Sequence, residues 1–257
     1  GRRISEEPFE DYRIWASSDE YVLAYRDSAQ GARDLVLLHP ISGRQLLRHM
    51  FEELSDENRV FGRIVNGRYV VTLSQTGEVL IWDIQHAKAI SKTQLEPIKS
   101  LQGLQVLARE DSLVLLPNTP DAPDERIGVP LITGSGPDHV RVAVAITAIS
   151  TVSGEVLWQR SLESQPWGCT LTQSPISPLL MLSRSKLRQS SGNRAKTLDV
   201  MAIDTRDGSA ITTLDRPMES FNSDIETRIH LQPAQQRVMV SVGSVTVAYF
   251  FTPADPT

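Results

Sequence analysis

The groups in this 257-residue chain that could do chemistry are five histidines, one cysteine and several clusters of charge, and their spacing decides what chemistry is open to them. His39, His49, His86, His139 and His230 form no pair at metal-ligand spacing, so they read as surface or turn residues. A lone cysteine, Cys169, excludes an internal disulfide, a Cys-rich zinc site and a Cys-ligated iron–sulfur cluster. It follows Trp167-Gly168 without a local His or basic group to lower its pKa, and so reads as a buried, inert thiol. No G-x-S-x-G nucleophile motif occurs. Ser183-Arg184-Ser185-Lys186 has the S-x-x-K spacing that can let a lysine activate a serine. The companion S-D-N and K-T-G motifs are missing, and the segment lies in an apparent β-hairpin, so the match is read as chance. No catalytic residue, metal site or cofactor is therefore expected.

Two charged clusters remain as candidates for binding. Asp121, Asp124 and Glu125, with Arg126 beside them and His139 at the end of the same segment, could hold a hard cation. They lack the alternating ligands and fixed Gly of a calcium loop, which favours a solvated loop. Gly134-Ser135-Gly136-Pro137 is no phosphate cradle, because no Lys-Ser/Thr follows and the proline removes an amide donor. Arg184, Lys186, Arg188, Arg194 and Lys196 put five positive charges in an otherwise acidic chain. Their plain reading is a solvated hairpin tip, and their functional reading is a patch steering an acidic partner. They are not interleaved with aromatics, which weakens a single-stranded nucleic-acid role.

What positions these residues is a β-rich framework. Net charge is −5 and hydrophobic residues make up 40 %, the profile of a folded domain with a mild acidity that disfavours nonspecific nucleic-acid binding. No apolar run is long enough to span a membrane. The first residues, Gly1-Arg2-Arg3, carry no Met, signal or lipid-attachment Cys, so a piece of a longer protein is expected. Runs such as 21–25, 69–73, 78–82, 142–146 and 238–242 are short and rich in branched or aromatic residues, as strands are. The Leu46, Leu47, Met50, Phe51 and Leu54 stripe fits a helix, and 101–107 fits either helix or strand.

One phrase returns four times: an apolar strand, a polar residue, a turn ending in or near Gly, then another strand. Its anchors His39, Asp83, Ser150 and Asp204 are spaced by 44, 67 and 54 residues. The excesses of 23 and 10 match segments 117–139 and 187–196, both expected to be loops. Without them the period is about 44, the length of a four-stranded propeller blade. The expectation is an all-β β-propeller of about five antiparallel blades, at 11–54, 59–98, 100–164, 168–216 and 221–257. The last unit has room for three strands, so closure by pairing of the termini is expected.

Ala148-x-Ser150-x-x-Ser153-Gly154-x-x-x-Trp158 resembles the A-x-D-x-x-T-G-x-x-x-W repeat of pyrroloquinoline-quinone-type propellers. The fourth unit keeps Ala202, Asp204, Asp207 and Gly208 but has Thr212 where the Trp would fall. The first keeps Ser42-Gly43 with Leu47 at that place, and the second has Ala87 and Ser91. Trp82-Asp83 is similar to the dipeptide of WD repeats, without a Gly-His partner. The resemblance implies structural roles for Gly43, Trp82, Asp83, Gly154, Trp158, Asp204 and Gly208: the Gly makes a tight turn and the Trp packs between blades. It also implies a bacterial, extracytoplasmic setting. Quinoprotein catalysis is disfavoured, since adjacent cysteines and a calcium-ligand ladder are missing.

Together these readings give a noncatalytic scaffold that binds a protein or extended ligand through the inserted-loop face, both insertions lying at second-to-third strand connections. The alternative is an enzyme with a central-channel site, a degenerate quinoprotein or a hydrolase, drawing on Arg63, Gln105, Thr170, Glu226 or Arg228.

Overall fold

Alternating branched and aromatic side chains favour extended backbone, and the computed structural model is made of strands joined mainly by short turns. It describes residues 11–28, 31–51, 59–119, 129–130, 139–142, 144–162, 167–170, 177–190, 193–217, 227–242 and 245–252. The first sheet runs in order through β1 (Arg13–Ser17), β2 (Val22–Asp27), β3 (Arg33–Leu38) and β4 (Gln45–Phe51). The second does the same through β5 (Val60–Val65), β6 (Tyr69–Ser74), β7 (Glu78–Asp83) and β8 (Lys88–Gln94). Next in the chain come β9 (Gly103–Ala108), β10 (Ser112–Asn118), two short strands β11 (Val129–Pro130) and β12 (His139–Val142), then β13 (Ala145–Ser150) and β14 (Val156–Ser161). The third sheet has the order β14-β13-β10-β9. The fourth contains β15 (Trp167–Thr170), β16 (Leu179–Ser190), β17 (Asn193–Asp204) and β18 (Ala210–Pro217), with β12 added beside β15 and β11 beside β16. The fifth has three described strands, β19 (Thr227–Gln232), β20 (Arg237–Val242) and β21 (Val245–Phe250).

Sequential, antiparallel, nearest-neighbour sheets of this kind are propeller blades, and the fold is all-β of the β-propeller type. The segment expected to complete the last unit includes residues 1–10, which lie outside the described residues. The chain divides into two compact units, 1–112 with 150–155, and 113–149 with 156–257. In the first unit Leu23, Leu35, Leu37, Leu47, Val70 and Ile84 form a dry cluster. In the second, Met181, Leu198, Val200 and Ala202 pack with Val238, Val240 and Tyr249.

Three expectations are corrected. The Leu46–Leu54 stripe is strand β4 where it is described: Leu47 and Phe51, four apart, fall on the same core side of a strand as readily as on one side of a helix. Residues 142–146 are not one strand, since Val142 ends β12 in the fourth sheet while Ala145 starts β13 in the third. Residues 187–196 are mostly not a loop. β16 and β17 stay in register from Leu179↔Asp204 out to Ser190↔Asn193, because a hairpin anchored at a buried base carries its backbone ladder onward whatever the outer side chains are.

The repeat turns adopt one geometry. Gly43, Gly154 and Gly208 have φ of 65°, 76° and 73°, and each donates its N–H to its anchor carbonyl, on His39, Ser150 and Asp204. Ala87 takes the same left-handed conformation in the second sheet, at φ 48°, a position that disfavours a side chain. After the turn, a register shift in the first three sheets sets Leu47 opposite Leu37, Ser91 opposite Ile81 and Trp158 opposite Ala148. The fourth sheet has its irregularity elsewhere, between Leu198 and Val200. Ile211, not Thr212, therefore stands opposite Ala202 in the place Trp158 holds.

Candidate functional site

The two long hairpin strands bring charge into the protein at their base. Strand alternation puts Arg184 directly opposite Asp199 and Lys186 opposite Thr197. Arg184 Nε donates to Asp199 Oδ2 at 3.0 Å, and Lys186 Nζ lies 2.5 Å from the same oxygen. The Arg184 guanidinium stacks over the Trp167 ring, 4.1 Å from its centroid. Asp199 and Arg184 are buried, whereas Lys186 stays partly open to solvent. Two cations share one carboxylate, and buried Arg184 Nη1 has no hydrogen-bond partner among the described residues. The cluster rivets the base of the ribbon to β15.

The long insertion reaches the same place. β15 pairs β16 at Gly168↔Ser183 and Cys169↔Leu182, and where that pairing ends β11 continues the ladder at Pro130↔Arg184 and Val129↔Ser185. β12 pairs the other side of β15, from His139↔Thr170 to Val142↔Trp167. Residues from 117–139 thus lie against the base of the 187–196 ribbon, and the two insertions are neighbours. Among the named candidates, the structure places Arg184 and Lys186 together on Asp199. His139, Arg188, Arg194 and Lys196 lie on paired strands with side chains outside the described set, and Asp121, Asp124, Glu125 and Arg126 lie outside it altogether.

The S-x-x-K match has no catalytic geometry. Ser183 and Lys186, three apart on one strand, fall on opposite sides of β16, and the lysine amine is bound to Asp199. Cys169 is buried. Arg63 Nε donates to the Leu104 carbonyl at 2.9 Å, joining β5 to β9, and burial lowers its pKa. Gln105 and Arg228 lie on β9 and β19, Thr170 is described in backbone alone, and Glu226 lies outside the described residues. Among the described residues no group of three or more His, Cys, Asp or Glu could hold a metal ion.

Sequence reasoning missed a second charged cluster, on the first sheet. Buried Asp34 accepts from Tyr12 Oη at 2.6 Å and from Arg48 through two bonds of 3.0 and 2.9 Å, with Arg26 at 3.6 Å. Burial pushes its carboxyl up, but the hydrogen bonds from Arg48 and Tyr12 and the charge of Arg26 outweigh this and hold it below the usual Asp value. Beside it, Arg33 stacks on Tyr25 at 4.3 Å and Trp15 at 5.5 Å while bonding Asp27. The signal was the hairpin register, which sets Arg26 against Asp34 and Asp27 against Arg33. With three hydrogen bonds from Tyr12 and Arg48 and the Arg26 charge alongside, Asp34 ties strands together.

The resemblance-derived positions are structural in what they touch. Trp158 Nε1 donates to the Thr205 carbonyl at 2.9 Å, and its ring lies so close over Gly208 that a Cβ there would come within 2.8 Å. Ser91, at the equivalent place, donates to the Gly154 carbonyl at 2.6 Å. Buried Asp83 accepts from the His86 amide and ring, with Arg68 at 3.6 Å.

No protein-family model and no curated protein matches the chain. Among solved structures it is similar to BamB from Moraxella catarrhalis, at 12 % identity over 91 % of this chain and 84 % of that one, TM-score 0.39. It is also similar to hydrazine synthase from Kuenenia stuttgartiensis, at 10 % identity over 88 % of this chain and 60 % of that one, TM-score 0.45. A third is the computationally designed Ika4 protein, at 15 % identity, 83 % and 98 % coverage, TM-score 0.36. The fold assignment rests on the strand pairing itself. No helix among the described residues is long and apolar enough to cross a membrane.

Proposed function

We propose that this chain is a noncatalytic interaction module that binds a protein, or another extended ligand, through the face carrying the 117–139 and 187–196 insertions. The observation that carries the reading is the meeting of β11 with β16 at Arg184 and Ser185, which seats one insertion against the base of the other. A two-stranded ribbon alone is marginal in water, and here Arg184, Asp199, Lys186 and Trp167 hold its base. Binding groups work best on projections fixed to a rigid scaffold. The cations at Arg188, Arg194 and Lys196 favour an acidic protein surface, because rim charges speed encounter and choose among partners. The pyrroloquinoline-quinone-type resemblance adds an extracytoplasmic setting to this reading.

The test is affinity capture from extract of the source cells, with the native chain and with an Arg188→Glu, Arg194→Glu, Lys196→Glu variant, at low and high salt. The expected result is a set of proteins lost from the variant and weakened by salt, with unchanged circular dichroism. Equal recovery of every protein by both forms removes this face from the function.

A further inference from the structure

The facing sides of the first two sheets are apolar, and one titratable ring is set among them. Leu23, Leu35, Leu37, Leu47 and Phe51 of the first sheet pack against Val60, Val70 and Ile84, which belong to the second sheet and its turn. Strand alternation puts His49 on the same side of β4 as Leu47 and Phe51, so this histidine faces a neighbouring sheet and is not a surface or turn residue. It stands opposite Leu35 on β3 and meets the Phe51 ring edge-on, with centroids 4.6 Å apart. His49 Nε2 is buried, makes no hydrogen bond among the described residues, and lies 3.8 Å from Glu78 Oε1 on β7 of the second sheet. The same carboxylate oxygen holds Lys92 Nζ of β8 at 3.3 Å.

Charge reaches the ring from the strands packed around it. Burial pulls the His49 pKa below the ordinary value, Glu78 recovers part of the loss, and Lys92 works against that recovery. Arg33, on the same side of β3 as Leu35, is committed to Asp27 and to the Val60 carbonyl. Arg48, next to His49 on β4, turns to the other side of the sheet and binds Asp34. His49 is therefore neutral at pH 7. A proton taken up in mild acid places a cation in the apolar seam, beside a carboxylate that Lys92 already occupies. A charge-assisted hydrogen bond needs the 3.8 Å gap to close to about 2.8 Å, which requires Glu78 to leave Lys92 or the strands to shift.

We propose that His49 is a proton-operated catch between the first two sheets: neutral, it lets the seam close dry, and protonated, it draws Glu78 from Lys92 and loosens β4 from β7 and β8. The direction follows from linkage. A histidine whose folded value lies below its unfolded one contributes stability that is complete above the unfolded value, at pH ~6.5, and is lost as pH falls toward the folded value. This window is less acid than that of Asp34 and Asp83, whose carboxyls are held below the ordinary Asp value. The catch is independent of the insertion face.

The test titrates the full chain between pH 7.5 and 5 with two readouts: the NMR signal of the His49 ring, assigned by its loss in His49→Gln, and hydrogen exchange of the β4 amides bonded to β3. The ring is expected to titrate below the ordinary histidine value, with its midpoint raised by Lys92→Met and lowered by Glu78→Gln. Corrected for intrinsic rates and set against the β16–β17 ladder, β4 exchange should quicken about tenfold from pH 7 to 5, as a shift of about one unit implies. His49→Gln, or His49→Phe should the glutamine not fold, is expected to keep the pH 7 protection and lose the quickening. A midpoint that neither Glu78→Gln nor Lys92→Met moves overturns the proposal. So does β4 exchange that is independent of pH, or that quickens equally in the His49 variant.

Discussion

Arg184 and Asp199 face each other directly across β16 and β17, both buried, joined by a 3.0 Å bond in which the guanidinium also lies on Trp167. Removing one partner strands the other. Asp199→Ala is expected to cost about 3–5 kcal/mol, the usual price of an unpaired buried charge, whereas Arg184→Met combined with Asp199→Leu costs much less. Urea denaturation of both single variants and the double variant checks this. A double variant no more stable than Asp199→Ala would contradict it.

Gly154 and Gly67 both have positive φ, at 76° and 62°, yet their surroundings differ. A Cβ on Gly154 would lie 2.2 Å from the Ile90 carbonyl oxygen, whereas nothing lies within 4 Å of one on Gly67. Gly67→Ala should cost about 1 kcal/mol of backbone strain, and Gly154→Ala clearly more, because backbone must move. Thermal melts of the two variants give the comparison, and equal losses would mean that the turn does not seat closely on β8.

Trp158 offers a separable test of the packing in the second unit. Trp158→Phe removes the donor to Thr205 and leaves a buried carbonyl short of a partner, for an expected loss of about 1–2 kcal/mol. Trp158→Ala adds a cavity beneath Gly208 and should cost about 3–5 kcal/mol. Chemical denaturation followed by circular dichroism distinguishes the two.

Acid should weaken the first unit through Asp34 and Asp83. Burial raises both carboxyls, but for Asp34 the bonds from Arg48 and Tyr12, and for Asp83 those from His86, overcome it, so both folded values lie below the ordinary one. A depressed carboxylate contributes stability that is complete above the unfolded value, at pH ~4, and is lost as pH falls through the folded value. The slope of stability against pH in that acid window should flatten in an Asp34→Asn, Asp83→Asn variant. An unchanged slope would show that neither carboxylate governs it.

The repeat turns were legible because a left-handed turn restricts residue type locally, and Gly43, Gly154 and Gly208 mark it in the letters. The place of Ile211 was not legible. A one-residue register shift decides whether the third or fourth residue after the glycine faces the next sheet, and no letter marks where a bulge falls. The polar composition of 187–196 suggested a loop because the ladder that extends it is backbone, which has no residue code. Lys186 and Arg184 were visible as positive charges, but the burial of one of them against Asp199 came from pairing across the hairpin.

By itself the sequence determined the all-β class, the period near 44 residues, the two insertions and the lack of a recognisable catalytic motif, because each follows from residue types within a short window. Only the tertiary structure decided that the insertions meet at β16, that Asp199 draws two cations to one oxygen, and that Ile211, not Thr212, stands opposite Ala202. These depend on which distant segments share a ladder and in what register, and long-range register is set by packing rather than by any local preference.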